Sequence, residues 1–510
     1  MMVRHLLLRG LCLGLSLALS LPAGAVCANT PSRQRPPNIV LIVVDDLRFD
    51  ELGVLNPVLK TPNLNRLAKE GVRFANAFVT TSLCSPSRAT ILTGQSARNH
   101  HIVGNELPEP AGTRFFPGLL QQAGYRTAMI GKWHMGQGDA PRPGFDHWVS
   151  FAGQGVYLPD QGPGGHQMLN IDGKPVPQKG YITDELTDYA LDWLGQEQTG
   201  GKPFFLYLAH KAVHEDFTPA TRHEGQYKDL PAPTPATQAD TAANNDGKPR
   251  WVRTQRNSWH GVDYAYYGEK SLDDLRRRYA ETLSAVDDSV GRLLSWLKET
   301  GQERDTIILF MSDNGFLFGE HGLIDKRNAY EPSIRVPLLA YAPGRFPAGG
   351  VVGGMVANLD VAPTVLDLAG VPAPADFEGR SFRALAEGKP AGEGARQELI
   401  YEYYWEFALP HTPTTFAIRT DRYKYIYYHG VWEPEELYDL SVDPDETRNL
   451  AARPDQAALK QQLRERLFAA LRNREGERVI PFDAKNRDGR IYRSRDGAPQ
   501  GEFPPEWLRP

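Results

Sequence analysis

Apolar residues run without a polar break at 39–44 and 204–209, and behind a single leading Thr306 at 306–311. Runs this short and this rich in branched and aromatic residues predict strands buried on both faces, as in a parallel sheet. Further strands are expected at 125–130 and 336–341. Elsewhere the apolar spacing changes to three and four. Leu275, Tyr279, Leu283, Val286, Val290, Leu293, Leu294 and Leu297 keep to one face and predict a helix over 272–298. Other helices are expected over 61–70, closed by Gly71, over 115–123, closed by Gly124, and over 183–194. Strands alternating with helices describe an α/β fold, with a large, mostly parallel mixed sheet sandwiched by helices.

Three stretches break this alternation. Residues 136–180 are rich in Gly and Pro, show no period, and read as irregular loop. Residues 215–270 form a long polar insertion that carries Trp251, Trp259, Tyr264, Tyr266 and Tyr267. Such a stretch is a functional lid or a disordered segment. Its rings either stack on sugar faces or make a small core of the loop's own. Residues 373–396, rich in Ala, Gly, Pro and Glu, are the best linker candidate. Beyond them, strand-like alternation at 398–404 and 416–428 precedes a helix over 456–471, with Leu459, Leu463 and Leu467 on one face. The expected division is a body over 33–390 and a smaller α+β subdomain, an antiparallel sheet with one helix, over 391–510. The tail after 480 is too polar to assign.

Charge and targeting narrow the setting. Lys and Arg number 57 against 62 Asp and Glu, a net −5, with no long basic tract, so nucleic acid is not an expected partner. Residues 1–28 read as a signal peptide. Arg4, His5 and Arg9 precede an apolar core at 11–21, and Val26-Cys27-Ala28 offers a small-residue cleavage site. Lipid attachment at Cys27 is the alternative. The apolar core is short for a membrane span, and no later stretch approaches the needed length. The expected location is periplasmic or secreted. Of the three cysteines, Cys12 and Cys27 fall in the leader, which leaves Cys84 as the single mature thiol.

Chemistry gathers where the predicted strands end. Asp45-Asp46 follows the first, Gly131-Lys132-Trp133-His134 the next, then His210-Lys211-Ala-Val-His214, and Ser312-Asp313-Asn314-Gly315 the last. Four strands that each stop in polar residues point to one site along the carboxyl edge of a sheet. Adjacent carboxylates either cap a helix or hold a hard divalent cation. Cys84-Ser85-Pro86-Ser87-Arg88 leads into a short helix that Gly94 is placed to stop. Cys84 then sits where free N–H groups favour an anion, with Arg88 a turn on. A thiol there is a nucleophile, a nucleophile's precursor, or a small buried residue.

The wording of these segments resolves that choice. C-x-P-S-R with Leu92-Thr93-Gly94, then Gly131-Lys132-Trp133-His134, then Glu320-His321-Gly322 through Asp325-Lys326, resembles the type I sulfatases of the alkaline phosphatase superfamily. Leu437-Tyr-Asp-Leu, Pro444-Asp-Glu-Thr447 and Asn449-Leu450 extend the resemblance into the C-terminal part. Asn99-His100-His101, the 210–214 run and Phe217 to His223 look most like bacterial glycan exo-sulfatases, including N-acetylglucosamine-6-sulfatase-like enzymes. The resemblance implies an alkaline-phosphatase-like sheet and a catalytic domain over 33–390. It implies that a maturase converts Cys84 to formylglycine, whose hydrate attacks sulfur through one hydroxyl and releases sulfate through the other. It implies that Asp45, Asp46, Asp313 and Asn314, with the residue at Cys84, hold Ca²⁺, with Mg²⁺ a possible occupant. By the same resemblance Arg88 and Lys132 neutralise the hydrate, His134 takes its proton, and Lys326 clamps the sulfate. His214, or alternatively His210, protonates the leaving alcohol of a sulfated sugar or glycan. Two other readings stay open: a phosphonate monoester or phosphodiester hydrolase of the same superfamily, and a catalytically idle secreted glycan-binding homologue.

Overall fold

The apolar run at 39–44 lies within strand β1 (Asn38–Val44), whose side chains leave alternately toward two separate cores. Ile39, Leu41 and Val43 enter one core, and Val40, Ile42 and Val44 enter the other. A strand of period two with both faces covered has no place for a polar residue, hence the unbroken run. In this computed structural model the described residues are 35–472, apart from 197–200, 230–233, 267, 391, 393, 394 and 407. The expected signal peptide over 1–28 and the tail beyond 480 lie outside them.

Among the described residues ten strands share one sheet. After β1 they are β2 (Val72–Phe78), β3 (Arg126–Gly131), β4 (His147–Ser150), β5 (Met168–Ile171) and β6 (Lys174–Pro177). Then come β7 (Phe204–Ala209), β8 (Thr306–Ser312), β9 (Leu338–Tyr341) and β10 (Gly350–Ala357). Their spatial order is β10-β2-β9-β8-β1-β7-β3-β4-β5-β6. Strands β8, β1, β7, β3 and β4 run parallel through the middle, while β9 and β5 run against their neighbours. Register matters more than order here. Val43 stands opposite Ala209, Val44 opposite Ser312, and Gly131 opposite Ala209. The next residue of each strand therefore emerges at the same edge.

One core holds the helices Cys84–Thr93 and Val361–Ala369 against the sheet, and the other holds Pro62–Glu70, Ile182–Gln196 and the long helix Leu272–Glu299. A second, antiparallel sheet has the order β11-β12-β13-β14, with β11 Glu398–Tyr403, β12 Thr415–Thr420, β13 Tyr423–Tyr428 and β14 Glu436–Asp439. Phe416, Ile418, Tyr425 and Leu437 pack on Leu463 and Leu467 of the helix Ala457–Leu471. The opposite face, with Leu399, Tyr401, Ala417 and Ile426, joins the first main core.

The 136–180 region is not the irregular loop its composition suggests. It contains β4, β5 and β6, and Met168–Ile171 turns back through Asp172-Gly173 into Lys174–Pro177. Both turn residues have positive φ, 49° and 85°, the hairpin geometry that an Asp-Gly pair favours. Four-residue strands carry too few apolar positions for a period to show, and pairing is what forms them, β4 on β3, β5 on β4 and β6 on β5.

The small sheet is also tied by charge to the turn of helix Glu331–Ile334. Glu331 accepts from Arg419 at 3.2 and 3.3 Å and pairs with Lys424 at 2.8 Å, all three buried. Burial alone raises the Glu331 pKa, but Lys424 and Arg419 outweigh it and hold the carboxyl at about 2. The unfolded chain binds that proton more readily, so this stabilisation is present above the ordinary value of 4.5 and is lost as pH falls toward 2. Glu331→Gln should lower unfolding free energy at pH 7 by about 3–5 kcal/mol, the range for breaking a buried pair. Denaturant melts at pH 7 and pH 3.5 check it: the gap to wild type narrows at the lower pH, and an equal gap contradicts the assignment.

Candidate active site

The strand ends deliver their polar residues to one buried cluster. Asp45 and Asp46 leave β1, Asp313 and Asn314 leave β8, and Lys132 leaves β3, all buried. Asp313 N–H donates to the Val44 carbonyl at 3.0 Å, which carries the β1–β8 ladder one step into the site. Gly131 has φ 124°, and a Cβ there would lie 1.8 Å from the Ala209 carbonyl oxygen, so only glycine lets β3 turn Lys132 inward. The helix Cys84–Thr93 is buried along its whole length. Asn105 Oδ1 accepts from Ser85 N–H at 3.1 Å at its first turn, and Gly94, at φ 63°, ends it with its N–H on the Thr90 carbonyl.

Cys84 Sγ donates to Asp45 Oδ1 at 3.4 Å and accepts from Lys326 Nζ at 3.5 Å. Burial and the Asp45 charge push its thiol up to about 12, so as a thiol it stays protonated at neutral pH. Lys326 bonds both Asp46 oxygens at 2.6 and 2.7 Å. Arg88 donates through Nε to Asp313 at 2.8 Å, through Nη1 to the Lys132 carbonyl at 2.7 Å, and through Nη2 to Asp45 at 3.3 Å. Lys132 Nζ donates to Asp45 and to Gln154. Burial opposes ionisation of Asp45, yet the charges of Lys132, Arg88 and Lys326 hold it well below the carboxylate range. Asp313 goes the other way: burial and the neighbouring Asp45 raise it to about 7. Burial and Asp45 likewise raise Asp46. Carboxylates so crowded call for a cation.

The residues fit a hard metal ion. Asp45, Asp46 and Asp313 each offer a buried oxygen within 4.8 Å of the others. Asn314 Nδ2 is satisfied by Asp46 and the Gly315 carbonyl, but its Oδ1 is buried without a hydrogen-bond partner. An orphaned amide oxygen beside three carboxylates is an all-oxygen donor set, the kind that suits Ca²⁺ or Mg²⁺. Asp46 takes φ 61°, a left-handed conformation that a non-glycine residue holds only where its surroundings enforce it.

Three histidines separate by position. His214 Nδ1 donates to the Glu215 carbonyl at 3.0 Å, and its Nε2 lies 3.9 Å from Asp46. Burial, with Lys326 and Lys132 nearby, keeps it neutral, well below the usual histidine range. His134, also lowered by burial and Lys132, has a buried Nδ1 with no partner. His210 instead bonds Ser289 of the long helix at 3.0 Å and stands apart from this cluster.

Residues with no motif complete the surroundings. Beside Lys326, Arg327 bonds Asp325 at 2.7 Å and Glu406 at 3.1 Å, and Glu406 accepts from Asn105 N–H at 3.3 Å. His260 Nδ1 lies 3.6 Å from Asp325, and both ring nitrogens lack a hydrogen bond. His260 comes from the insertion, which pairs with the main body there: Ile324 N–H donates to the His260 carbonyl at 2.7 Å. The two tryptophans of the insertion differ. Trp251, 6% exposed, packs on Tyr428, whereas Trp259, 40% exposed, lies against the His260 ring at 3.6 Å. Gln154, Asn105, Glu406 and His260 escaped the sequence reading because single polar residues in loops carry no signal of their own.

Comparison with known proteins gives this geometry its place. Residues 37–371 match the sulfatase family, and 319–473 match the family described as N-sulphoglucosamine sulphohydrolase, C-terminal. The chain is 32% identical over 500 residues to an N-acetylglucosamine-6-O-sulfatase of Bacteroides thetaiotaomicron, covering 86% of this chain and 87% of that one. It is 31% identical to the multifunctional alkaline phosphatase superfamily protein PehA of Trinickia caryophylli, covering 83% and 92%. The solved structure of BT4656 with its substrate D-glucosamine-2-N,6-O-disulfate superposes with a TM-score of 0.79 at 30% identity, covering 88% of this chain and all of that one. With an alkaline-phosphatase-like sheet, a small antiparallel C-terminal sheet, and a family match over most of its length, the chain belongs to the sulfatase family and is a sulfuric ester hydrolase.

Proposed function

We propose that the protein removes a sulfate monoester from a sulfated sugar, a 6-O-sulfated N-acetylglucosamine being the favoured class. One observation carries the reaction: Cys84 lies between the carboxylate of Asp45 and the ammonium of Lys326, at the edge where the central strands end. The sugar class rests on the likeness to the N-acetylglucosamine-6-O-sulfatase. Formylglycine at position 84, made from Cys84 by a maturase, would supply an aldehyde hydrate as nucleophile. A divalent cation, Ca²⁺ or Mg²⁺, held by Asp45, Asp46, Asp313, Asn314 and residue 84, would supply Lewis-acid charge to the sulfate oxygens.

The chain's own groups do the rest. Three buried carboxylates, Asp45, Asp46 and Asp313, face three buried cations, Arg88, Lys132 and Lys326. With those six balanced, the charge of a bound cation is left to attract an anionic ester. Arg88 is too tightly held by Asp313, Asp45 and the Lys132 carbonyl to move, so it orients residue 84 and Lys132. Lys326 clamps the sulfate and His134 takes a proton from the nucleophile. His214 gives its Nε2 proton to the departing alkoxide. An anion seated among Lys132 and Lys326 offsets the charge that keeps His214 neutral, so it is protonated only once substrate arrives. The wall of Asp325, Arg327, His260 and Glu406 supplies donors and acceptors for sugar hydroxyls.

The reading includes export: residues 1–28 act as a cleaved signal, and no helix of the described residues is long and apolar enough to cross a membrane. The likeness to PehA favours one second reading, hydrolysis of phosphonate or phosphate diesters at the same site. Sulfate release from a panel of sulfated monosaccharides, run beside a phosphonate ester and an aryl sulfate, decides between them. In the same assay Trp259→Ala should lower turnover of the sugar sulfate about tenfold, roughly 1.4 kcal/mol, and spare the aryl sulfate. Trp251→Ala should lower the melting temperature instead, because that ring is core. Equal losses on both esters for Trp259→Ala would leave the insertion as scaffold.

A further inference from the structure

Lys211 is buried, 2% exposed, two residues past the end of β7, and it stands in none of the roles above. Among the described residues its ammonium makes no ion pair. It donates to the Glu215 carbonyl at 2.9 Å and sits 4.9 Å over the Tyr157 ring. A buried ammonium without a carboxylate is expensive, and an apolar side chain would fill the space at lower cost. Burial, reinforced by the charge of Lys132, pulls its pKa down to about 8. What the ammonium holds explains its presence. The Glu215 carbonyl is also the acceptor for His214 Nδ1–H at 3.0 Å. His214 N–H donates to the Lys211 carbonyl at 3.0 Å, and Tyr157 Oη donates to the His214 carbonyl at 2.6 Å. Lys211 therefore closes a loop of bonds around one residue, His214.

We infer that Lys211 is a positioning residue for the leaving-group acid: by pinning the Glu215 carbonyl it fixes the Nδ1–H tautomer of His214 and turns Nε2 toward the departing oxygen. A neutral imidazole carries one N–H, and which nitrogen bears it is set by the partner of the other. If the carbonyl swings away, Nδ1 loses its acceptor, the proton moves to either nitrogen, and the ring rotates freely. This rests on the reading above in which His214 protonates the alkoxide. It predicts a defect confined to esters whose leaving group needs a proton.

The test compares Lys211→Met and Lys211→Arg in the matured full-length enzyme on p-nitrophenyl sulfate and on 6-O-sulfated N-acetylglucosamine. For Lys211→Met, kcat on the sugar sulfate should fall by about thirtyfold or more, within the range of a general acid's contribution, and on the aryl sulfate by about threefold or less. KM should hardly move, and Lys211→Arg should recover most of the sugar activity. If the methionine variant does not fold, Lys211→Gln takes its place. A readout independent of turnover is the imidazole ¹⁵N spectrum of histidine-labelled protein, with His214 assigned by its loss in His214→Gln. Wild type should show Nδ1 protonated and Nε2 bare, and Lys211→Met should show a mixture. Equal losses on both esters, no loss on either, or an unchanged tautomer would overturn the inference. If wild type releases sulfate from neither ester, it is the sulfated-sugar reading that fails, and the tautomer spectrum alone decides Lys211.

Discussion

Cys84→Ala should abolish sulfate release, by at least about four orders of magnitude, and leave the melting temperature close to that of wild type. The substitution removes one buried sulfur whose contacts are weak, 3.4 Å to Asp45 and 3.5 Å to Lys326, and the helix it starts is otherwise unchanged. Stability is carried elsewhere in that helix, by Ile91 and Leu92 in the core and by the Gly94 stop. Chemistry is another matter. A thiol pushed up to about 12 is a poor nucleophile at neutral pH, and sulfate carried on sulfur has no easy exit. Active protein should accordingly yield a peptide about 18 Da lighter than the coded one at this position, as thiol gives way to aldehyde. An active preparation in which Cys84 is wholly unmodified would sink the formylglycine mechanism.

Asp313→Ala should cost both the bound cation and activity, the latter by about a thousandfold or more. Asp313 has two tasks in the cluster, one oxygen to Arg88 at 2.8 Å and the other to Asp46 N–H at 3.2 Å. Asp313→Asn keeps the shape and loses the charge, so it separates metal affinity from the orientation of Arg88. Metal content should fall from about one divalent ion per chain toward zero in both variants. Calcium should raise the melting temperature of wild type, because a ligand at a hundred times its Kd stabilises the native state by about 2.7 kcal/mol, and should do little for either variant. In wild type stripped of metal the three carboxylates are left crowded, as the raised Asp313 and Asp46 show. Full activity after chelation, with metal analysis confirming removal, contradicts this ligand set.

Much of this molecule was readable along the chain. An unbroken apolar run such as 39–44 is a property of neighbouring residues, and burial on both faces of a parallel sheet is the condition that produces it. The one-sided stripe of Leu272–Glu299 and the Leu463 and Leu467 stripe of the last helix are likewise local records of what each element packs on. The motif residues were legible for a different reason. Chemistry at a strand end needs a fixed residue type one or two positions past the last apolar residue, and register then brings Asp45, Lys132 and Asp313 to a single edge.

Tertiary structure alone decided the rest. The strands β4, β5 and β6 exist through pairing with β3 and with one another, since four residues cannot show a period. Trp251 and Trp259 look alike in a polar insertion, yet one is core on Tyr428 and the other lies half-open on His260. His210 and His214 are four residues apart on one turn, and only the fold sends the first to Ser289 and the second to the site. Lys211 between them is a lone polar residue whose ring partner, Tyr157, is chosen by where the 136–180 region folds back. The physical reason is common to all four. Periodicity and motifs report energies settled between neighbours in the chain, whereas a hydrogen bond or ring contact across dozens of residues leaves no mark on either partner's own stretch.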